Sequence, residues 1–511
     1  MSYELKVKIL KGERWYGGSV AKGFMMPFSR MSIFSNDNTN KIMYNQSCPL
    51  YLSNKGRFIW SENGFKMTSI FGTIKCVSNT SEIKLYDGFE TLRGAFLEAS
   101  KRFFPADGTY PNETMFKVPQ YCTWIELQHN QTQKGILDYA ESIINGGMPA
   151  GEILIDDGWQ VDFGVWEFDS KKFENAKEMI DKLHNMGFYV IMWICPFVSK
   201  DSKHYNYLVE NNLLVKDSSG NIAMREWWNG VSAVLDLSNP DAMKWFTDTC
   251  DYLMNELGVD GFKQDAGDSD YYRDDDITFG NVSANEQCEL WAKSAKNYDF
   301  NELRACWKCG GMGIAQRLSD KSHMWNALAG LRSLIPNAQL QGILGYPYTC
   351  PDMIGGGQVN DFKDNKSYDH ELFVRYSEVS ALMPMMQYSF SLWRLEDKKT
   401  AELCRDVWKT HVKYSNYIIE MVKNASKTGE PIIRYMEYEF PNEKMYKAKQ
   451  QFMLGDKYLV APQTYKGRKT RTVLLPKGKW LMLHTNQLLQ GGGEVTIDTP
   501  LDLLPVFERV E

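Results

Sequence analysis

Histidine is scarce, at 7 in 511 residues, and none stands in a ligand pair. A metal-dependent hydrolase, which needs a His/Asp cluster at its strand ends, is therefore poorly served, and no metal and no cofactor are expected. Cysteine is sparse too. Ten scattered residues cannot make a disulfide framework in so long a chain, and they suit a reducing compartment. The close pair Cys306-Trp-Lys-Cys309 lacks a second Cys or His pair nearby and reads as buried thiols. No apolar run approaches the length of a membrane span, and the first residues, Met1-Ser-Tyr-Glu-Leu-Lys-Val-Lys8, lack the apolar core of a signal peptide, so a cytoplasmic location and no membrane partner are expected. Charge of one sign is not concentrated anywhere. The net charge of -6 leaves no footprint for nucleic acid, and the run Asp274-Asp-Asp276, with no glycine-punctuated ligand pattern after it, reads as a solvated loop.

Aromatic residues, by contrast, make up 13% of the chain. Flat apolar rings fill cores, but they also face the C–H surfaces of sugars, so a neutral carbohydrate substrate fits this composition better than a polyanion. A chain of this length needs more than one core. Residues 1–118 show short alternating segments such as Arg57-Phe-Ile-Trp60, broken by Gly, Asn and Ser, which predict an N-terminal β-sandwich.

From residue 119 to about 425, buried strands alternate with amphipathic helices. Ile136, Tyr139, Ala140 and Ile143 form a helical stripe ending at Gly146-Gly147, and Glu152-Ile-Leu-Ile-Asp156 follows as a strand. Asn239-Pro240 supplies a cap and a first-turn proline for a helix whose stripe runs through Phe246, Cys250 and Leu253 to Gly258, before the strand at Val259. The repeated step predicts an α/β class fold with a (β/α)8 TIM barrel. No Gly-x-Gly-x-x-Gly turn opens any of these helices, which removes a dinucleotide site. Residues 426–511 return to strand-like runs and predict a C-terminal β-sandwich domain.

Catalytic groups in such a barrel come from the C-terminal ends of several strands, so the polar residue closing each apolar run is the one to inspect. Asp265 in Val259-Asp-Gly-Phe-Lys-Gln-Asp265 and Asp320 in Gln316-Arg-Leu-Ser-Asp320 stand at two such ends. Two carboxylates from different strands are what a retaining glycosidase uses, one as nucleophile and one as proton donor. The other closers are carboxylates, cations and indoles: Asp156 and Asp157, Trp193, Lys263, Arg304 to Trp307, Arg317 and Asp352. Trp307 and Trp393 join Trp193 as candidate pocket walls, each with core packing as the rival role. Arg225 to Trp228 occupy a long connection that can reach over the cleft.

These motifs, in this order, resemble glycoside hydrolase family 31. The resemblance runs through Glu13-Arg-Trp-Tyr-Gly-Gly18, Ile155-Asp-Asp-Gly-Trp159, Phe262-Lys-Gln-Asp-Ala-Gly267, Arg317-Leu-Ser-Asp320, Pro351-Asp-Met-Ile-Gly-Gly356, Met383-Pro-Met-Met-Gln-Tyr-Ser389 and Phe452-Met-Leu-Gly-Asp-Lys-Tyr-Leu-Val-Ala-Pro462. It is nearest to the branch that includes the myogenesis-regulating glycosidase and bacterial α-galactosidases. The resemblance implies Asp265 as nucleophile and Asp320 as general acid/base. It also implies that Asp156, Asp157, Lys263, Arg317 and Asp352, with the tryptophans, hold the sugar. Two departures bear on specificity. Asp268 stands where relatives often carry Glu, and the Arg-x-His of family 31 α-glucosidases is replaced by Tyr388-Ser-Phe-Ser-Leu-Trp393, which turns the expectation from glucose toward galactose. An exo-acting α-galactosidase is therefore expected, with an α-glucosidase second and an inactive carbohydrate-binding relative as the non-enzymatic alternative. Oligomeric state stays open, a homo-oligomer included.

Overall fold

The structure, a computed structural model, describes residues 2–39, 45–363 and 368–510. Eight short parallel strands form its centre: β1 (Gln120–Cys122), β2 (Glu152–Ile155), β3 (Tyr189–Ile194), β4 (Gly261–Gln264), β5 (Phe300–Leu303), β6 (Gln316–Arg317), β7 (Thr349–Cys350) and β8 (Gln387–Tyr388). They pair in chain order, and β1 pairs with β8 through Gln120↔Gln387. A single parallel bridge just past β7, Met353↔Gln387, closes the ring. This is the TIM barrel that the alternating texture predicts, with almost every strand residue buried because both faces are covered.

Helices α1 (Gln133–Asn145), α2 (Ala176–Asn185), α3 (Pro240–Leu257) and α4 (Ala284–Ser294) join the first five strands. α3 shows why these segments are helical: the Asn239 side chain accepts from the Asp241 N–H, Pro240 fills the first turn, Phe246, Cys250 and Leu253 are buried, and Gly258 ends it at φ 85°. Between β5 and β6 the described residues contain no helix. The connection instead carries a two-residue strand, Cys306–Trp307, that pairs in parallel with Gln46–Ser53 of the N-terminal part. α5 (Leu334–Ile343) and α6 (His370–Ala381) complete the later crossovers, and α7 (Lys398–Asp406) with α8 (Trp408–Thr428) follow β8.

The N-terminal part holds two antiparallel sheets, one of four strands and one built on Arg14–Ser19, Gln46–Ser53 and Phe58–Ser61. The C-terminal part holds a six-stranded sheet and the ribbon Thr470–Leu475/Gly493–Asp498. The latter has its own apolar cluster around Met453, Val473, Trp480 and Phe507. Among the described residues no helix is long and apolar enough to cross a membrane.

Candidate active site

A cavity of about 240 Å³ opens at the C-terminal ends of the barrel strands, lined among others by Asp156, Asp157, Trp193, Lys263, Asp265, Arg317 and Asp320. Its volume lies below the range of drug-sized pockets, about 300 to 1,000 Å³, and suits one small polar ligand.

Asp265 follows β4. The turn after it passes through Ala266 at φ 54° and Gly267 at φ 71°, and a Cβ on Gly267 would come within 2.1 Å of Trp291. Left-handed backbone at a non-glycine residue is uncommon and concentrates at functional sites. Its effect here is to turn the chain sharply at the end of β4. One carboxylate oxygen accepts from the Trp193 indole N–H at 2.8 Å, and the other accepts from the Ala266 amide at 3.0 Å. Burial alone would raise the Asp265 carboxyl. Lys263, then Arg304 and Arg317, outweigh it and hold the group below the usual aspartate value.

Lys263 is itself buried and lies 2.7 Å from Asp156 Oδ2. Asp156 also accepts from the Asp157 amide at 2.9 Å, and Asp157 accepts from Gln160 at 2.8 Å and Asn229 at 2.7 Å. Burial pushes the Asp157 carboxyl up, with those two amides opposing the rise. The pair of acids is thus held from two sides, by a cation and by neutral donors.

Asp320 is the more open carboxylate, with 29% of its side chain exposed against 11% for Asp265. Nη1 of Arg317 sits 2.6 Å from Asp320 and 2.8 Å from Asp352, while its Nε lies 3.3 Å from Glu302 on β5. Glu302 in turn accepts from Gln387 of β8 at 2.7 Å, so the barrel interior anchors the arginine from below.

Three of the residues singled out from the sequence do not line the cavity. Asp352 is fully buried behind Arg317, its second oxygen accepting from the Lys321 and Gly357 amides. Trp307 is wholly enclosed with Cys288 and Ala305, because its strand belongs to the N-terminal sheet rather than to the barrel. Trp393 is 45% exposed on the turn Leu392–Arg394, beside Gly146 at the end of α1. By that point the chain has already left β8.

Arg304 and Trp228, picked out from the sequence as a strand closer and as part of a connection over the cleft, do line the cavity, and other lining residues were not singled out. Arg304, one residue past β5, lies 3.2 Å from Asp268 and 3.8 Å from Asp265, and its guanidinium sits 4.6 Å above the Trp228 ring. The strand-end rule points to it. Trp228 and Asn229 come from the hairpin Met224–Trp227/Gly230–Val234, anchored at its base by an ion pair between Arg225 and Asp276. Asp276 is therefore paired rather than solvated. Trp124, two residues past β1, and the segment Gly357 to Val359 complete the wall.

A parallel eight-stranded barrel with carboxylates from different strands around a sugar-sized cavity defines the class of barrel glycosidases. Residues 119–421 match the model of the glycosyl hydrolases family 31 TIM-barrel domain, and residues 429–511 match that of the family's C-terminal domain. The chain belongs to glycosyl hydrolase family 31. It is 31% identical over 414 residues to the myogenesis-regulating glycosidase of Mus musculus, covering 79% of this chain and 57% of that protein. It is 28% identical over 371 residues to the sulfoquinovosidase of Escherichia coli K12, covering 68% and 53%. The chain thus spans little more than half the length of these relatives. A Flavobacterium johnsoniae GH31 dextranase complexed with glucose shares the fold at TM-score 0.87 and 20% identity, over 99% of this chain and 66% of that one. A cycloalternan-degrading enzyme from Trueperella pyogenes, in complex with a covalent intermediate, does so at 0.83 and 19%, over 100% and 78%.

Proposed function

We propose that the protein is a retaining, exo-acting α-glycosidase, with terminal α-galactosides its preferred substrates. Asp265 is the nucleophile and Asp320 the general acid/base. The observation that carries this reading is that both carboxylates line one small cavity in different settings. Asp265 is desolvated and ringed by Lys263, Arg304 and Arg317, which keep it ionised for attack on the anomeric carbon. Asp320 stands nearer solvent, where it can give its proton to the leaving oxygen and then draw one from the incoming water.

In the first half-reaction the Asp265 carboxylate bonds to the anomeric carbon as the glycosidic C–O bond breaks and the Asp320 proton goes to the leaving oxygen. In the second, Asp320 takes a proton from water, the water oxygen bonds to the anomeric carbon, and Asp265 leaves. Asp156, Asp157 and Lys263 hold the sugar hydroxyls. The cavity's size supports removal of a terminal sugar rather than cleavage within a chain. Relatives named as α-glucosidase and α-xylosidase support an α-linked substrate without choosing the sugar. Galactose is favoured because no residue of Gln387 to Arg394 lines the cavity, so the Arg-x-His contribution of the α-glucosidases has no counterpart there.

A panel of nitrophenyl α-glycosides tests this. The α-galactoside should turn over fastest with the α-anomer released first, and Asp265→Asn should lower kcat by about 10⁴-fold or more. Faster turnover of the α-glucoside would transfer the assignment to glucose. Sugar binding without turnover of any member would favour the inactive carbohydrate-binding relative.

A further inference from the structure

A second cleft, of about 630 Å³, lies in the C-terminal part, far along the chain from the catalytic residues. Its walls come from the segment Lys447 to Gln451, the turn around Gln463 to Arg468, and the ribbon strand Thr470–Leu475. Four cations line it, Lys447, Lys449, Arg468 and Arg471, against a single carboxylate, Glu494. On a chain of net charge -6 this local excess is the reverse of the average.

More telling is how those cations are partnered. In the active site Lys263, Arg304 and Arg317 each have a carboxylate within salt-bridge distance. Among the described residues no Asp or Glu lies within 4.0 Å of Lys447, Lys449, Arg468 or Arg471. Arg471 has only neutral acceptors, the carbonyls of Pro462 and of Gln450, the latter at 2.6 Å, and its Nε is buried without a partner. Burial pushes the Arg471 guanidinium down to about 10 and also lowers the Lys449 ammonium. A cation removed from water without an anion is costly, and proteins rarely leave one so. A fifth cation stands close by: the Arg332 guanidinium lies 4.9 Å over the ring of Tyr465, a cleft residue that is 47% exposed.

We propose that this cleft is an oxyanion-binding site, taking a phosphate, sulfate or carboxylate group carried on a ligand of about sugar-phosphate size. The oxyanion supplies the charge that Arg471 lacks, with Lys449 and Arg468 closing on it from the rim, guanidinium being matched to planar or tetrahedral oxyanions by its fork of donors. The volume exceeds what a bare inorganic anion needs. Tyr465, capped by Arg332, offers an amphipathic wall to the rest of the ligand. Glu494 sits on the same ribbon and selects against ligands of dense negative charge.

Calorimetric titration of the full chain with glucose 6-phosphate, glucuronate, inorganic phosphate and glucose tests the site. Saturable binding of the charged sugars, absent for glucose and weakened at least about tenfold in Lys449→Gln/Arg468→Gln, is expected. Both positions are exposed on the cleft rim, so the double variant should keep its melting temperature and its glycosidase rate. Equal binding of inorganic phosphate would support the oxyanion site and assign it to the free anion. No binding of any of the three anions below about 10 mM, or an affinity unchanged in the variant, would overturn the proposal.

Discussion

Asp320 and Asp352 share one nitrogen: Nη1 of Arg317 lies 2.6 Å from an oxygen of the first and 2.8 Å from an oxygen of the second. Asp352 does not line the cavity, so whatever it does for catalysis passes through Arg317 and through the Lys321 and Gly357 amides it accepts from. Its backbone sits at φ 85°, a conformation non-glycine residues seldom take, which places both of its oxygens against N–H donors of Arg317, Lys321 and Gly357. It is a positioning residue. Asp352→Asn turns an amide N–H toward one of these donors and fixes as neutral a carboxyl that burial pushes up to about 7. We expect kcat to fall about 10- to 100-fold with KM nearly unchanged. The titration of Asp352 near 7 should leave an inflection in the rate profile of the parent protein, and that inflection should be absent from the variant. A variant that only destabilises the fold, with its pH profile intact, would contradict this role.

Lys263 serves two carboxylates, bonding Asp156 and holding Asp265 ionised. Lys263→Met therefore has two separable effects. Asp156 is left buried without its cation, which costs about 3 to 5 kcal/mol of stability. The Asp265 carboxyl, freed of its largest charge partner, becomes a weaker acid. Because attack requires the ionised form, the acid limb of kcat/KM should shift upward in pH. Adding Asp156→Asn should recover part of the melting temperature and none of the pH shift. Recovery of both would place Lys263 with Asp156 alone.

The barrel is legible because apolar runs such as Ile153-Leu-Ile155 and β3 are each preceded by a helix with clear periodicity, and Asp156 because it closes the first of these runs; the nucleophile loop, whose approach is broken by Asp260, Gly261 and Lys263, is legible through its motif. β6, β7 and β8 are only two residues long, too short for any period, and there the motifs alone guide the reading. Trp307 shows the limit. Its surroundings depend on pairing with Gln46–Ser53, some 260 residues earlier in the chain, and local pattern carries no trace of so distant a partner. The reach of Arg225 to Trp228 over the cleft is legible as a long connection, but the hairpin that carries it and the Arg225–Asp276 ion pair at its base are not. Arg304 is legible by the strand-end rule, since it follows β5 as Asp265 follows β4.

Trp228 edges the cavity with 43% of its surface exposed and Arg304 stacked on one face. That placement fits contact with the leaving group more than with the terminal sugar. Trp228→Ala should lower kcat/KM for an aryl or disaccharide substrate by about 1 to 3 kcal/mol, as loss of a stacking ring does. An α-glycosyl fluoride has no leaving ring and should be hydrolysed almost as well as by the parent protein. Equal losses on both substrates would return Trp228 to a supporting role for Arg304.

Glu378 on α6 couples the barrel to the C-terminal part. It receives Arg375 at 2.9 Å, and the same arginine donates to the carbonyls of Thr499, at 2.7 Å, and Pro500, at 3.0 Å. Burial lifts the Glu378 carboxyl to about 8 and that of Asp352 to about 7, with Arg375 and Arg317 opposing. Both values exceed those of an unfolded chain, about 4.3 and 3.9, so the folded state binds the extra protons. Their stabilisation is complete below the unfolded values and is lost as pH rises through 7 and 8. His411, lowered to about 4 by burial, acts oppositely up to about 6.5, and Lys321, lowered to about 8 by burial, acts oppositely as pH approaches 8. The melting temperature should therefore fall between about pH 6.5 and 7.5 and level off toward 8, and Glu378→Gln should flatten that fall. A melting temperature that rises across this interval, or a slope untouched by the substitution, would mean that Glu378 keeps its charge throughout and that the Arg375 contact is a fixed ion pair.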